Sequence, residues 1–307
     1  MSGTILTLGG SGFIGTALSE ALVATGNEVI ALTRSTTKPP RSTVKYVSGT
    51  FNSPADFAPL LTDCRTVVHL ASSSTPGSSA GHPLHELEHN LRVTFALLEA
   101  LQNAPRCNLL FVSSGGTLYG DKTITPATES SRIGPMSYHG AAKAAAEYFI
   151  SAWTQQFSRS ATILRPSNVY GPGQTVRQGF GIIPTAFAKL MNNEALEIWG
   201  DGNAVRDYLF IDDLIQLCLA IVNTPMGSGA KILNASSNTG TSLNELLSLI
   251  EAVTGTHIRR VQHAKRHVDA SHVVIDSSEA HRLFGWAPQT SLADGLNHTW
   301  KWWIKQR

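Results

Sequence analysis

The chain has 307 residues and a mass of 32.9 kDa, enough for one large or two ordinary domains and for a core that needs no disulfide or metal staple. Hydrophobic residues make up 42% and charged residues 15%, a balance that excludes intrinsic disorder. Twenty-four basic and 22 acidic side chains leave a net charge of +2, and their interspersion excludes the basic stripe that nucleic acid requires.

Cys64, Cys107 and Cys218 are widely spaced and set among apolar residues. They form no metal or disulfide framework, so a reducing compartment is expected. The N-terminus runs from Met-Ser-Gly straight into Thr4–Leu8 without a charged leader, and nowhere do about 18 apolar residues run unbroken. A soluble, cytoplasmic protein that does not enter membranes is expected.

In chain order, Ile5–Leu8, Val29–Leu32, Val44–Val47, Val67–Leu70, Leu109–Val112 and Ile163–Leu164 are short apolar runs of the kind buried on both faces. Helical spacing appears over Phe13–Thr25, Leu84–Gln102 and His139–Phe157, with a short turn near Pro54–Leu61 and a loop over Ala71–Gly81. The alternation predicts an α/β fold with a doubly wound parallel sheet. From Ser167 onwards Gly and Pro become dense, and helical patterns remain near Pro184–Asn192, Asp212–Asn223 and Leu243–Val253. Residues 1–166 are therefore expected to form one α/β domain, dinucleotide-binding by virtue of the glycine turn at Gly9–Gly15. Residues 167–307 are expected to form mainly a smaller substrate-binding lobe, with some segments returning to the first domain.

Gly9-Gly10-Ser11-Gly12-Phe13-Ile14-Gly15 lies between the first strand and the first helix. Glycines there permit a tight turn and let backbone N–H groups approach a pyrophosphate at the helix N-terminus. Gly9, Gly12, Phe13, Ile14 and Gly15 are the candidate cradle. At the end of the second strand, where an acidic residue would accept the ribose hydroxyls of NAD, stand Thr33, Arg34 and Ser35. A guanidinium beside hydroxyl residues suits a 2′-phosphate, so the expected cofactor is NAD(P), with NADP favoured over NAD.

Further motifs follow in a fixed order: Val68-His69-Leu70-Ala71, Asn90, Ser113-Ser114 with Leu118-Tyr119-Gly120, Lys143, and Leu164-Arg165-Pro166-Ser167-Asn168-Val169-Tyr170-Gly171-Pro172-Gly173. Then come Gly200-Asp201-Gly202 with Arg206-Asp207-Tyr208, Asp213, Arg266, Asp269 and Trp286-Ala287-Pro288. Together they resemble the extended short-chain dehydrogenase/reductase family, and within it the nucleotide-sugar epimerases of the UDP-glucose 4-epimerase type. The resemblance implies a Rossmann fold and a nucleotide-sugar substrate. It also implies a homodimer built on the helices Leu84–Gln102 and Ala141–Phe157. It assigns Leu70, Ala71, Asn90 and Lys143 to the cofactor and Asn168, Arg206, Arg266 and Asp269 to the substrate.

In that family a Tyr-x-x-x-Lys pair and a nearby Ser or Thr surround the sugar C4 hydroxyl. Here Lys143 is present, but His139 stands four residues before it and Tyr138 five; the position of the Ser or Thr is Gly115, flanked by Ser114 and Thr117. Four readings stay open. His139 could be the acid–base group, Tyr138 could replace it after a local rearrangement, the histidine could be an engineered substitution that traps a ligand, or the site could bind without turnover. If His139 is the base, activity should fall on the acid side near an imidazole pKa of about 6.5, lowered by Lys143. Thr117 is the candidate hydroxyl, ahead of Ser114.

The implied activity is a nucleotide-sugar 4-epimerase, an isomerase working by transient oxidation at C4. The alternatives are an NADPH-dependent 4-ketoreductase, or a catalytically silent binder of cofactor and nucleotide sugar. His82, His85 and His89, and likewise His263 and His267, lack a third ligand of fitting spacing, so no metal is expected.

Overall fold

The structure is a computed structural model that describes residues 3–34, 43–121, 125–177, 181–224, 227–265 and 270–306. Strand β1 (Thr4–Leu8) is buried at every position. Its side chains alternate between faces, so Ile5 enters the core on one side of the sheet while Leu6 and Leu8 enter the core on the other. The same division separates Val68 from Val67, Leu110 from Leu109 and Phe111, and Leu164 from Ile163. Only a sheet covered on both faces can bury both sets.

Parallel to β1 run β2 (Val29–Thr33), β3 (Lys45–Ser48), β4 (Cys64–His69), β5 (Asn108–Val112) and β6 (Ser160–Pro166). Helix α1 (Phe13–Ala24) covers one face. The short α2 (Pro54–Phe57) shares the other with α4 (Arg92–Leu101) and α6 (Tyr138–Phe157). The helix expected over Leu84–Gln102 is interrupted. It begins as α3 (Pro83–Glu86), widens into a π-helical turn over Leu87–Leu91 and continues as α4. Apolar spacing cannot register that one wide turn, a feature common near functional sites. A short α5 (Gly115–Leu118) follows β5. Helix α6 starts at Ser137, whose hydroxyl accepts the Gly140 N–H at 3.1 Å.

The second half supplies β7 (Asn168–Tyr170), α7 (Ile182–Met191), β8 (Leu196–Trp199), β9 (Val205–Phe210) and α8 (Ile211–Asn223). It then sends β10 (Gly229–Ala235) back beside β6, giving the sheet order β10-β6-β5-β4-β1-β2-β3. Helix α8 joins α1 in one core. After β10 come β11 (Gly240–Ser242), α9 (Leu243–Thr254), β12 (Arg260–His263), β13 (His272–Val273), α10 (Ser278–Phe284) and α11 (Leu292–Ile304). Strands β11, β9, β13 and β7 form a small sheet, and β12 pairs with β8. Cys64 and Cys107, distant in sequence, are adjacent free thiols with sulfurs 3.2 Å apart.

One buried ion pair ties α6 to the sheet. The Arg165 guanidinium donates to the Glu147 carboxylate at 2.6 Å, and both side chains are almost wholly buried. Ser113 also donates to that carboxylate, and Arg165 reaches the Tyr119 hydroxyl at 3.0 Å. Tyr119 in turn donates to Asn234 Oδ1 at 2.6 Å on β10. Removing one partner leaves a buried charge uncompensated. Arg165→Met is therefore expected to lower unfolding stability by about 3–5 kcal/mol in chemical denaturation, and Arg165→Met with Glu147→Leu should recover most of that loss.

Candidate active site

The carboxyl ends of β1, β2, β4, β5 and β6 open into a cleft of about 1760 Å³, closed on the far side by residues of the second half that include Asn168, Trp199 and Arg206. That is well above the roughly 300–1,000 Å³ of a small-molecule pocket. It leaves room for a dinucleotide and a second ligand.

At the β1–α1 turn the glycines divide by role. Gly9 has a φ of +88°, and a Cβ there would lie 2.8 Å from the Ala71 backbone. A Cβ at Gly15 would strike the Gly9 carbonyl. Both are demanded by the chain itself. Gly12 is different. It precedes α1 with a φ of −77°, and a Cβ would meet only the Gly9 carbonyl at 3.3 Å. The space beside Gly12 belongs to the cleft, at a helix N-terminus without a side-chain cap, which is where an anion is held. Phe13, Ile14, Leu70 and Ala71 line the same wall. Thr33 is buried and its hydroxyl bonds Ser11 Oγ at 2.6 Å, whereas Arg34 is exposed at the cleft edge. Ser35 lies outside the described residues.

At the opposite end, His139 and Lys143 occupy one face of the first turns of α6 and line the cleft. Glu147, one turn further on, anchors that face to Arg165. Lys143 donates to the Val112 carbonyl at 2.9 Å and lies 4.8 Å from the centre of the Phe111 ring. Burial lowers its pKa to about 8, against the opposing pull of Glu147 and Glu86. Burial, with help from the Lys143 charge, holds His139 down to about 3. The acid limb expected near pH 6.5 is thus corrected: desolvation, more than Lys143, keeps the imidazole neutral across the working range.

The other candidates fall as follows. Tyr138 is 47% exposed and does not line the cleft. Ser114 and Thr117 do line it, with Thr117 Oγ1 3.4 Å from the Ser114 carbonyl. A side chain at Gly115 would meet Ile275 Cδ1 and the Arg165 carbonyl, so the position is crowded. Asn168 donates to the Asp207 carbonyl at 2.9 Å, and Arg206 to the Val205 carbonyl at 2.8 Å. Asn90 sits behind the cleft wall, bonded to Glu86, Ser73 and Ser74. Arg266 and Asp269 lie outside the described residues. The rings of His85 and His89 are 4.5 Å apart, and among the described residues no group of three potential ligands could hold a metal.

One partner of His139 carried no sequence signal. Ser74 lies in a run of serines that reads as plain loop, yet its hydroxyl bonds His139 Nδ1 at 3.0 Å. Glu86 and His69 are both buried beside the site. Burial first, then Lys143, also holds His69 to about 3.

The sequence matches the NAD dependent epimerase/dehydratase family over residues 5–236. The protein belongs to that family. It is an enzyme of the epimerase/dehydratase type on a Rossmann-like parallel sheet. A UDP-glucose 4-epimerase from Mycolicibacterium smegmatis is 28% identical to it, with 96% of each chain covered. The solved UDP-glucose 4-epimerase of Thermotoga maritima, bound to UDP-glucose, is 26% identical and superposes with a TM-score of 0.92, covering 99% of both chains. The protein MoeE5, solved with UDP-glucuronic acid and NAD, is 26% identical with a TM-score of 0.91, covering 99% of this chain and all of the other. Among the described residues, no helix of this epimerase/dehydratase-family member is long and apolar enough to cross a membrane.

The two depressed imidazoles link stability to acid. Unfolded histidine titrates near pH 6.5, while folded His69 and His139 hold out to about 3. Between those values the unfolded chain binds the protons, so stability falls as pH falls, by up to about 1.4 kcal/mol per unit for each ring. Denaturation curves from pH 7 to pH 5 should show that slope, and His139→Gln should remove about one proton of it.

Proposed function

We propose that the protein is a nucleotide-sugar 4-epimerase, which oxidises the sugar at C4 transiently and returns the hydride to the opposite face. The observation that carries this is the placement of His139 and Lys143 on one helix face at the end of a dinucleotide-sized cleft. The family and the UDP-sugar-bound relatives support the substrate class. The backbone at Gly12, Phe13 and Ile14 would hold the cofactor pyrophosphate, and the Lys143 ammonium its nicotinamide ribose. The nicotinamide supplies hydride exchange when bound. His139 exchanges the proton of the C4 oxygen, with Thr117 or Ser114 bonding the same oxygen. Asn168 and Arg206, with Arg266 and Asp269, serve the nucleotide diphosphate. In the same way α4 and α6, the latter exposing Tyr148 and Phe149, form a homodimer interface.

The absence of an acidic residue at the end of β2, together with Arg34 at the cleft edge, favours NADP over NAD. The same feature supports a second reading, a 4-ketoreductase that exchanges NADPH each turnover. Purified protein should interconvert 4-epimers of a UDP-sugar without added cofactor and release nicotinamide dinucleotide on denaturation. A protein that arrives empty and reduces 4-keto sugars only with NADPH is the reductase. Arg34→Ala should weaken NADP by about 1–3 kcal/mol more than NAD, and equal losses would remove the 2′-phosphate assignment.

Gly12→Val is expected to abolish cofactor binding in calorimetry while the thermal transition persists, because the added side chain fills cleft space rather than core. Retained binding would place the pyrophosphate elsewhere.

A further inference from the structure

A neutral imidazole exists in two forms that differ in which nitrogen carries the proton. The form present decides whether His139 meets a ligand oxygen as donor or as acceptor. The hydrogen bonds behind the ring discriminate between them.

Asn90 is fixed first. Its Oδ1 lies 2.8 Å from the Ser73 backbone N–H, which can only donate, so that atom is the oxygen of the amide. The two protons on Nδ2 are then both spent, one on Glu86 Oε2 at 2.6 Å and one on Ser74 Oγ at 3.0 Å. Ser74 thus receives a bond from Asn90 and has one proton to give. It is buried, and among the described residues the acceptor within reach of its hydroxyl is His139 Nδ1 at 3.0 Å. With a proton on Nδ1, Ser74 Oγ would face two donors and its own proton would have no acceptor among the described residues, an arrangement that folded proteins avoid.

We infer that Asn90 and Ser74 hold His139 as its Nε2–H tautomer, so that the ring meets a ligand oxygen in the cleft as a hydrogen-bond donor. The charged groups around the ring agree with a neutral imidazole: Lys143 lies on the same helix, and the Glu86 carboxylate is already bonded to Asn90. Resting on the proposed placement of the sugar C4 at His139, this makes the resting site complementary to a 4-keto oxygen, which can only accept. A C4 hydroxyl can lose its proton to the ring only after the ring changes tautomer. An epimerase must hold the ketone while the sugar presents its other face, and this donor serves that need. Ser74 and Asn90 are positioning residues.

The test has two arms on the full-length protein. In the first, nitrogen–proton long-range correlation spectra of histidine-labelled protein at pH 7 identify the His139 ring by its loss in His139→Gln. The expected pattern is a protonated Nε2 and a bare Nδ1, turning to a mixture of both forms in Ser74→Ala and restored in Ser74→Thr. A protonated Nδ1 in the parent, or no change in Ser74→Ala, overturns the inference. In the second arm, a UDP-4-keto-6-deoxy sugar and its 4-hydroxy counterpart are compared in binding. The parent should favour the keto form roughly tenfold: both oxygens can accept from Nε2–H, but the hydroxyl brings a proton that this donor cannot take. Ser74→Ala should bring the pair near parity, whereas a merely structural role would weaken both equally and overturn the donor assignment. If neither sugar binds while the spectra show Nε2–H, the tautomer stands and the functional proposal falls.

Discussion

The buried pair between Glu147 and Arg165 sets the register on which the site depends. His139, Lys143 and Glu147 are spaced four apart on α6, so one helix face carries all three toward the sheet. Glu147 meets a guanidinium rooted in β6, and Ser113, at the end of β5, bonds the same carboxylate. With that turn locked to two strands, the two preceding turns have no freedom to rotate. Lys143 consequently reaches the Val112 carbonyl, and His139 faces Ser74. The same guanidinium extends the lock through Tyr119 to Asn234 on β10, joining a strand from the second half of the chain to the helix that bears His139 and Lys143.

Burial then decides the electrostatics. Lys143 and two imidazoles share a poorly solvated layer above the sheet, where each added positive charge is unfavourable. The lysine keeps its charge because Glu147 and Glu86 face it, while His69 and His139 stay neutral. A phenol at position 139 would hold a single proton on a single oxygen. An imidazole carries its proton on one of two nitrogens, so the groups behind it matter in a way they would not for tyrosine. The π-helical turn preceding α4 presents Asn90 to that rear side, between Glu86 and Ser74.

The glycine cradle is the other constraint, and its members are unequal. Gly9 and Gly15 are required by the backbone's own closeness, whereas Gly12 leaves space that the fold does not use. One short motif therefore contains residues that shape the turn and a residue that borders the open cleft. Composition cannot separate them; the room beside each glycine does.

Much was legible in the sequence because it depended on local period and residue type. The six apolar runs, the helices between them and the glycine turn followed from alternation and from the conformational needs of tight turns. Lys143 and the histidine four residues before it were singled out by the family resemblance. The pairing of Gly229–Ala235 with Ser160–Pro166 joins segments far apart in the chain, so no local period signals it. The partners of His139 were not legible at all. Ser74, 65 residues away, looks like any loop serine until the fold sets its hydroxyl against the ring. By itself the sequence determined which backbone could form and which reactive side chains it would carry, because those depend on neighbours along the chain. Only the tertiary structure decided which charges are silenced, which nitrogen is engaged and which glycine is free for a ligand, because burial and hydrogen bonding are set by neighbours in space.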